Sequence, residues 1–311
     1  MIIGHNPAMM RIKKMARGIA KEEGPVLLSG ETGTGKEFIA REIHKRSRRR
    51  NKPFIPVSCT DFDVIIREPD FVGSITEQSG GIKREFGFFE KAAGGTLYLG
   101  NIEDLPQTFQ KRLLSILRQS RFYRLGDPRP STTDFRLMAG TTNTELIRHP
   151  GFRTDLYAYI SKYLINIPPL RSRKQDIPLL FNHFIKATAK TGNRALPGLP
   201  SIIFDSIMEY TWPGNVSELK NTARNLVLMS PEGELASEYL PFEIKMHPLE
   251  FLERFPLKEA VEQVEHYLIK QSLRRFAGNQ SKAAKDLGIS EAAFRYKMKK
   301  FGITRNNFRS G

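Results

Sequence analysis

Eight consecutive residues, Gly30-Glu31-Thr32-Gly33-Thr34-Gly35-Lys36-Glu37, place three glycines and a lysine between a short apolar run and a helical pattern. Glycines let successive backbone N–H groups turn inward around phosphate oxygens, and the N-terminus of a following helix adds favourable dipole charge. Lys36 at the end of such a loop reaches terminal phosphates. The general motif closes on Ser or Thr, whose hydroxyl helps hold magnesium; Glu37 stands there instead. An ordinary glycine-rich turn is the plain alternative. The register of glycines and lysine between strand and helix favours a phosphate loop, with Gly30, Gly33, Thr34, Gly35, Lys36 and Glu37 as candidate nucleotide contacts.

A second chemistry stands at the C-terminus. Ser281 to Leu287 reads as a short helix, Gly288-Ile289-Ser290 as a tight turn, and Glu291 to Lys300 as a second helix. Ala284 permits close packing, Gly288 makes the turn, and Phe294 and Met298 share one face at i, i+4. This is the pattern of a helix-turn-helix that enters the major groove of double-stranded DNA. Lys282, Ser290, Glu291, Arg295, Tyr296 and Lys299 are its candidate DNA contacts. Arg295 is the choice for a bidentate guanine contact, and Ser290 also caps the helix. Lys282, Lys297 and Lys300 fit the phosphate backbone. Upstream, Leu257, Val261, Val264 and Leu268 form an apolar stripe at i, i+4, i+7 and i+11, either a core face or a dimerising one.

These two sites need different supports. Short apolar runs at Pro25–Ser29, Pro53–Val57, Gly95–Leu99 and Phe135–Ala139 alternate with helical stretches, which predicts an α/β parallel sheet. Residues from about 170 to 240 read as entirely helical, a lid-like subdomain, and Pro248 and Pro256 punctuate a linker candidate between Glu243 and Lys258. The expected division is 1–169 (α/β), 170–245 (helical lid), 246–256 (linker) and 257–311 (all-α helix-turn-helix). The length of 311 residues fits more than one domain. Net charge is +16, with basic clusters at Arg41–Lys52 and at the C-terminus, which points to a polyanionic partner, nucleic acid before membrane. One cysteine, Cys59, excludes an internal disulfide framework and suits a cytoplasmic protein. No apolar run approaches the roughly 20 residues of a membrane helix.

The loop GETGTGKE, the stretch Gly94-Gly95-Thr96-Leu97-Tyr98-Leu99, Pro168-Pro169-Leu170-Arg171-Ser172-Arg173 and Trp212-Pro213-Gly214-Asn215-Val216 resemble, in order, the AAA+ domain of bacterial enhancer-binding proteins, the sigma-54-dependent activators. The C-terminal segment resembles the Fis-type helix-turn-helix that follows this domain in the same family. The resemblance implies a P-loop sheet with a helical lid, binding of ATP or ADP, an RNA polymerase partner and a homodimer or higher homo-oligomer. Glu37 is the residue the family usually carries after the lysine. Members often have a receiver or sensory domain ahead of this region.

Several residues depart from what the family implies for hydrolysis. Where it has Asp-Glu after the Gly-Gly-Thr strand, this chain has Gly100-Asn101. Neither can act as a general base. Glu103 and Asp104 lie beyond the strand end and are expected to point elsewhere. Arg153 matches the first trans-acting arginine, but the second is Tyr159; the γ-phosphate-sensing arginine is Ser217, and an asparagine that positions the catalytic glutamate is Ser58. Asn143 matches the first sensor. In place of the family's Gly-Ala-Phe-Thr-Gly-Ala output loop stands Thr76-Glu77-Gln78-Ser79-Gly80-Gly81.

From these losses the sequence predicts a DNA-binding transcription regulator on a degenerate scaffold, not an enzyme, that binds nucleotide without hydrolysing it and acts without sigma-54 remodelling. The opposing reading is an active AAA+ ATPase that opens sigma-54 promoters; a third is a nucleotide-dependent assembly factor. Resemblance to VpsR-like and FleQ-like biofilm regulators adds cyclic di-GMP as an implied ligand, with Arg41, Arg46 and Glu218 as the candidate set. No metal-ligand cluster is read.

Overall fold

The structure is a computed structural model that describes residues 2–60, 62, 67–78, 81–192, 198–230, 235–245, 256–276 and 278–303. It divides into two compact units, Met1–Phe184 with Thr211–Ala223 and Ile185–Tyr210 with Arg224–Gly311.

In the first unit, Asn6 caps α1 (Pro7–Ile19), whose proline sits at the first turn where no N–H is needed. The chain continues through β1 (Val26–Ser29), α2 (Lys36–His44) and β2 (Phe54–Ser58). Next come α3 (Glu68–Val72), the antiparallel hairpin β3 (Ser74–Gln78) and β4 (Gly81–Glu85), α4 (Phe88–Lys91) and β5 (Thr96–Gly100). Then follow α5 (Gln107–Gln119), a small pair β6 (Arg121–Tyr123) and β7 (Pro130–Thr132), β8 (Arg136–Thr141), α6 (Thr154–Ile160) and β9 (Tyr163–Asn166). Five strands form a parallel sheet in the order β2-β5-β8-β1-β9.

The four strands expected from apolar runs are β1, β2, β5 and β8. β1, β5 and β8 are buried along their whole length because both sheet faces are covered. Successive residues face opposite cores: Leu27, Leu97, Leu99 and Leu137 meet Phe71, Phe89 and Phe109, while Val26, Leu28, Tyr98 and Met138 meet Ile12, Ile39 and Ile43. The apolar runs do not announce β9. It is an edge strand of four residues whose side chains are mostly uncovered.

The described residues between 170 and 240 are helical where they are regular, including α7 (Ile177–Thr191), α8 (Ser201–Glu209) and α9 (Asn215–Met229). After α10 (Phe242–Lys245), most of the expected linker, residues 246–255, lies outside the described residues. The second unit ends with α11 (Leu257–Arg275), α12 (Gln280–Asp286) and α13 (Glu291–Lys300).

Candidate functional site

The phosphate loop leaves the C-terminal end of β1, the end of a parallel strand where ligands bind in open α/β sheets. Gly33 has φ +78°, and a Cβ there would stand 2.2 Å from the Gly214 carbonyl oxygen, so only glycine fits this turn. Gly35, at φ +99°, opens α2, and Lys36 is its first residue. Lys36 Nζ donates to the Gly30 carbonyl at 2.6 Å and the Glu31 carbonyl at 3.1 Å. Burial lowers its pKa, and the charge of Glu103 pushes the other way. Thr34 is buried and its hydroxyl donates to the Glu31 carbonyl at 2.8 Å.

Arg171 and Asn215 fix the loop from the side. Glu31 takes a bidentate pair from Arg171 at 2.7 and 2.5 Å. The Asn215 amide donates to the Thr32 carbonyl at 3.0 Å and to Glu31 at 3.2 Å, while its oxygen accepts from the Leu170 N–H at 2.7 Å. The Arg171 bonds hold the Glu31 carboxyl below the usual carboxylate range, burial opposing and Asn215 assisting.

A cleft of about 490 Å³ opens on this loop. Thr32, Gly33, Gly35, Lys36 and Glu37 line it, with Phe38 and Arg41 from α2, Tyr98 and Asn101 from the end of β5, Thr142 after β8, and Ser217 and Lys220 from α9. Asn143 and Arg153 lie off the cleft wall. The Asn143 side chain accepts from the Glu145 N–H at 2.9 Å, and Arg153 pairs with Asp155 at 2.7 Å. The lining residues Phe38, Lys220 and Thr142 belong to none of the motifs above. Lys220 lies one turn from Ser217 on the same face of α9, a spacing that the sequence does carry. Thr142 holds Glu103: its N–H and its hydroxyl donate to Glu103 Oε1 at 2.8 and 2.7 Å. Glu103 is therefore tied to the cleft wall through Thr142, which its place beyond the strand end does not suggest. Asn101 takes a left-handed φ of 53° and starts a 3₁₀ turn, Ile102–Asp104, which brings the carboxylate back to the end of β8.

Each residue of the cyclic di-GMP set has a partner within the chain. Arg41 pairs with Glu37 at 2.8 Å and covers the Phe54 ring, Arg46 pairs with Glu42 at 3.2 Å, and Glu218 accepts from the Gly214 N–H at 2.7 Å. Arg49, in the same basic cluster, is bound to Glu23 and Asp134.

In the C-terminal helices, Asn279 caps α12 and Ser290 caps α13. Gly288 turns between them at φ +65°, and Ala283, Ala284, Phe294 and Met298 close a core on Ile269 and Leu273 of α11. Arg295 is exposed beside Glu291, at 2.9 Å, and Tyr296 is 69% exposed. Lys282 and Lys299 are exposed. Lys297 and Lys300, expected on the DNA backbone, instead pair with Glu265 and Glu262 of α11 at 2.6 and 2.8 Å. They brace the recognition helix. Leu257 and Val261 remain 81% and 47% exposed, so the α11 stripe is not the core of this domain.

Residues 2–166 match the Sigma-54 interaction domain, 171–250 the AAA+ ATPase lid domain, and 260–301 the Fis family of bacterial regulatory proteins. The chain belongs to the sigma-54 activator family. It is 35% identical to the regulatory protein AtoC of Escherichia coli (strain K12), over 97% of this chain and 68% of that one. It is 33% identical to the transcriptional activator RocR of Bacillus subtilis (strain 168), over 98% and 69%, and 33% identical to the phenol regulator MopR of Acinetobacter guillouiae, over 97% and 56%. Crystal structures of NtrX from Brucella abortus in complex with ADP and with ATP superpose with TM-scores of 0.69 at 28% and 29% identity, covering 97% of this chain and 69% of theirs.

Membership in this family corrects the expectation that the chain is not an enzyme. An AAA+ ATPase lid follows a sigma-54 interaction domain, and structural neighbours were solved with ADP and ATP. The matched Sigma-54 interaction domain spans the β3–β4 hairpin, where the output-loop segment Thr76 to Gly81 falls; Ser79 and Gly80 lie outside the described residues. The Fis-family match places a DNA-binding regulator at the C-terminus of the chain. No described helix is long and apolar enough to cross a membrane.

Proposed function

We propose that this chain is an ATP-hydrolysing, DNA-binding transcription regulator that acts on sigma-54 RNA polymerase. One observation carries the catalytic part: the cleft over the phosphate loop gathers Lys36, Arg41 and Lys220 around a volume suited to a nucleotide, with the Glu103 carboxylate bonded to its wall. Lys36, Arg41 and Lys220 bring positive charge toward a polyphosphate, and backbone N–H groups of residues 32–36 supply the cradle. NtrX, of the same fold, was crystallised with ADP and with ATP, which supports the same ligands here.

The second unit supplies the address. Arg295 and Tyr296 face outward from a helix braced on α11, with Lys282 and Lys299 beside the DNA path. The uncovered Leu257 and Val261 on α11 support self-association through a second copy, which suits a palindromic site. The boundaries 1–169, 170–245, 246–256 and 257–311 are proposed as the working domains. Calorimetric titration with ATP and ADP, beside phosphate release with DNA present, tests the reading. Binding of both nucleotides and release of phosphate supports it; absence of nucleotide binding refutes it.

A further inference from the structure

The proposed hydrolysis lacks its usual acid. Gly100 has no side chain, and the Asn101 amide cannot take a proton. The geometry points to Glu103 as the catalytic base of this site, an inference that rests on the ATPase reading above.

Four observations converge on it. Glu103 Oε1 is anchored by two donors from Thr142, a residue of the cleft wall. Its Oε2 is buried and has no hydrogen-bond partner, which is costly for a carboxylate unless a ligand or water completes it. Its charge acts on Lys36, the residue that meets terminal phosphates. Finally, Asn101 takes a left-handed conformation at the start of the 3₁₀ turn that carries Glu103 back to the end of β8. Burial raises the Glu103 pKa, but the Thr142 bonds together with the Glu103 N–H and the Thr141 hydroxyl bring it below the ordinary glutamate value, leaving a carboxylate at neutral pH.

In the step assigned to it, a water oxygen forms a bond to the γ-phosphorus as the bond to the β,γ-bridging oxygen breaks. ADP leaves with that electron pair. The proton lost by the water passes to Glu103 Oε2 and then to the departing phosphate, which restores the carboxylate. One oxygen fixed on Thr142 and one left unpaired is the arrangement this role needs, because an unanchored glutamate would lose the alignment that gives a general base its effect.

The test is Glu103→Gln in the full chain, since glutamine keeps an oxygen for Thr142 and loses only the basic one. Phosphate release should fall by ~10²–10⁴-fold, and the acidic limb of the wild-type pH–rate profile should vanish. ATP should bind at least as tightly as to wild type, because a negative charge near the γ-phosphate has gone, with ADP binding unchanged. Gly100→Asp/Asn101→Glu in the Glu103→Gln background should recover activity; a Cβ at Gly100 meets nothing closer than 3.4 Å. An unchanged rate in Glu103→Gln overturns the inference and leaves the ATPase reading standing. A rate loss matched by lost ATP binding makes Glu103 structural and overturns it too. If wild type releases no more phosphate than Lys36→Ala, the ATPase reading itself fails and the role of Glu103 with it.

Discussion

The Asn215 side-chain amide donates to the Glu31 carboxylate at 3.2 Å, joining the phosphate loop to the start of α9 across 184 positions of sequence. Asn215 is fully buried, takes φ 53°, and satisfies the Leu170 N–H and the Thr32 carbonyl with the same side chain. Asn215→Ala leaves these groups unpaired and should lower stability by about 1–3 kcal/mol. Denaturant unfolding measures it. Asn215→Asp keeps the acceptor for Leu170 but sets a second negative charge against Glu31, so its deficit should grow as pH rises through the carboxylate range.

Lys36→Ala removes the cation at the head of α2. Losing a charge-assisted contact to phosphate should cost about 1.5–3 kcal/mol, roughly 10- to 100-fold in Kd for ATP. Calorimetry reads the loss, and the circular dichroism spectrum should not change.

Lys220 is exposed, so solvent screens it. Lys220→Ala should weaken ATP by at most about 1 kcal/mol and ADP by less. Equal loss for both nucleotides would place Lys220 away from the γ-phosphate.

The Glu31–Arg171 pair makes loop stability depend on pH. Glu31 has its folded pKa depressed. Its contribution is therefore present above the ordinary carboxylate value and is lost as pH falls through the depressed one. Thermal melts of wild type and Arg171→Ala should differ at neutral pH and converge in acid. Arg171→Lys should behave more like alanine than like arginine, because an ammonium cannot form the bidentate pair.

Arg295→Ala should cost about 1–3 kcal/mol at the specific site and relax selection at one base pair. Lys299→Ala should weaken all sequences alike and lower the salt slope by about 1. Gel shifts across a salt series distinguish the two. Glu262→Gln releases Lys300 from α11 and should destabilise the recognition helix without removing a DNA contact.

The sheet and the two binding ends are legible in the sequence because their signals are local. Fully buried strands carry continuous apolar runs, the phosphate loop carries its glycines in register, and Gly288 and Ser290 mark a turn and a cap. The rest depends on contacts between distant segments. Glu103 stands beyond the strand end, and nothing local announces that Asn101 will adopt a left-handed turn and fold the carboxylate back to Thr142. Lys297 and Lys300 look like DNA contacts by charge and position, until Glu265 and Glu262 come within reach on α11. Gly100 and Asn101 point away from catalysis for the same reason. Matching motif positions shows which acids are missing from a strand end, whereas chemistry depends on which side chains arrive at the site.

Phosphate release from ATP by the purified chain with DNA present, with Lys36→Ala as the blank, tests the central claim most directly. Steady release above the blank is the predicted result. Rates indistinguishable from Lys36→Ala, in a preparation that binds ATP, would contradict it.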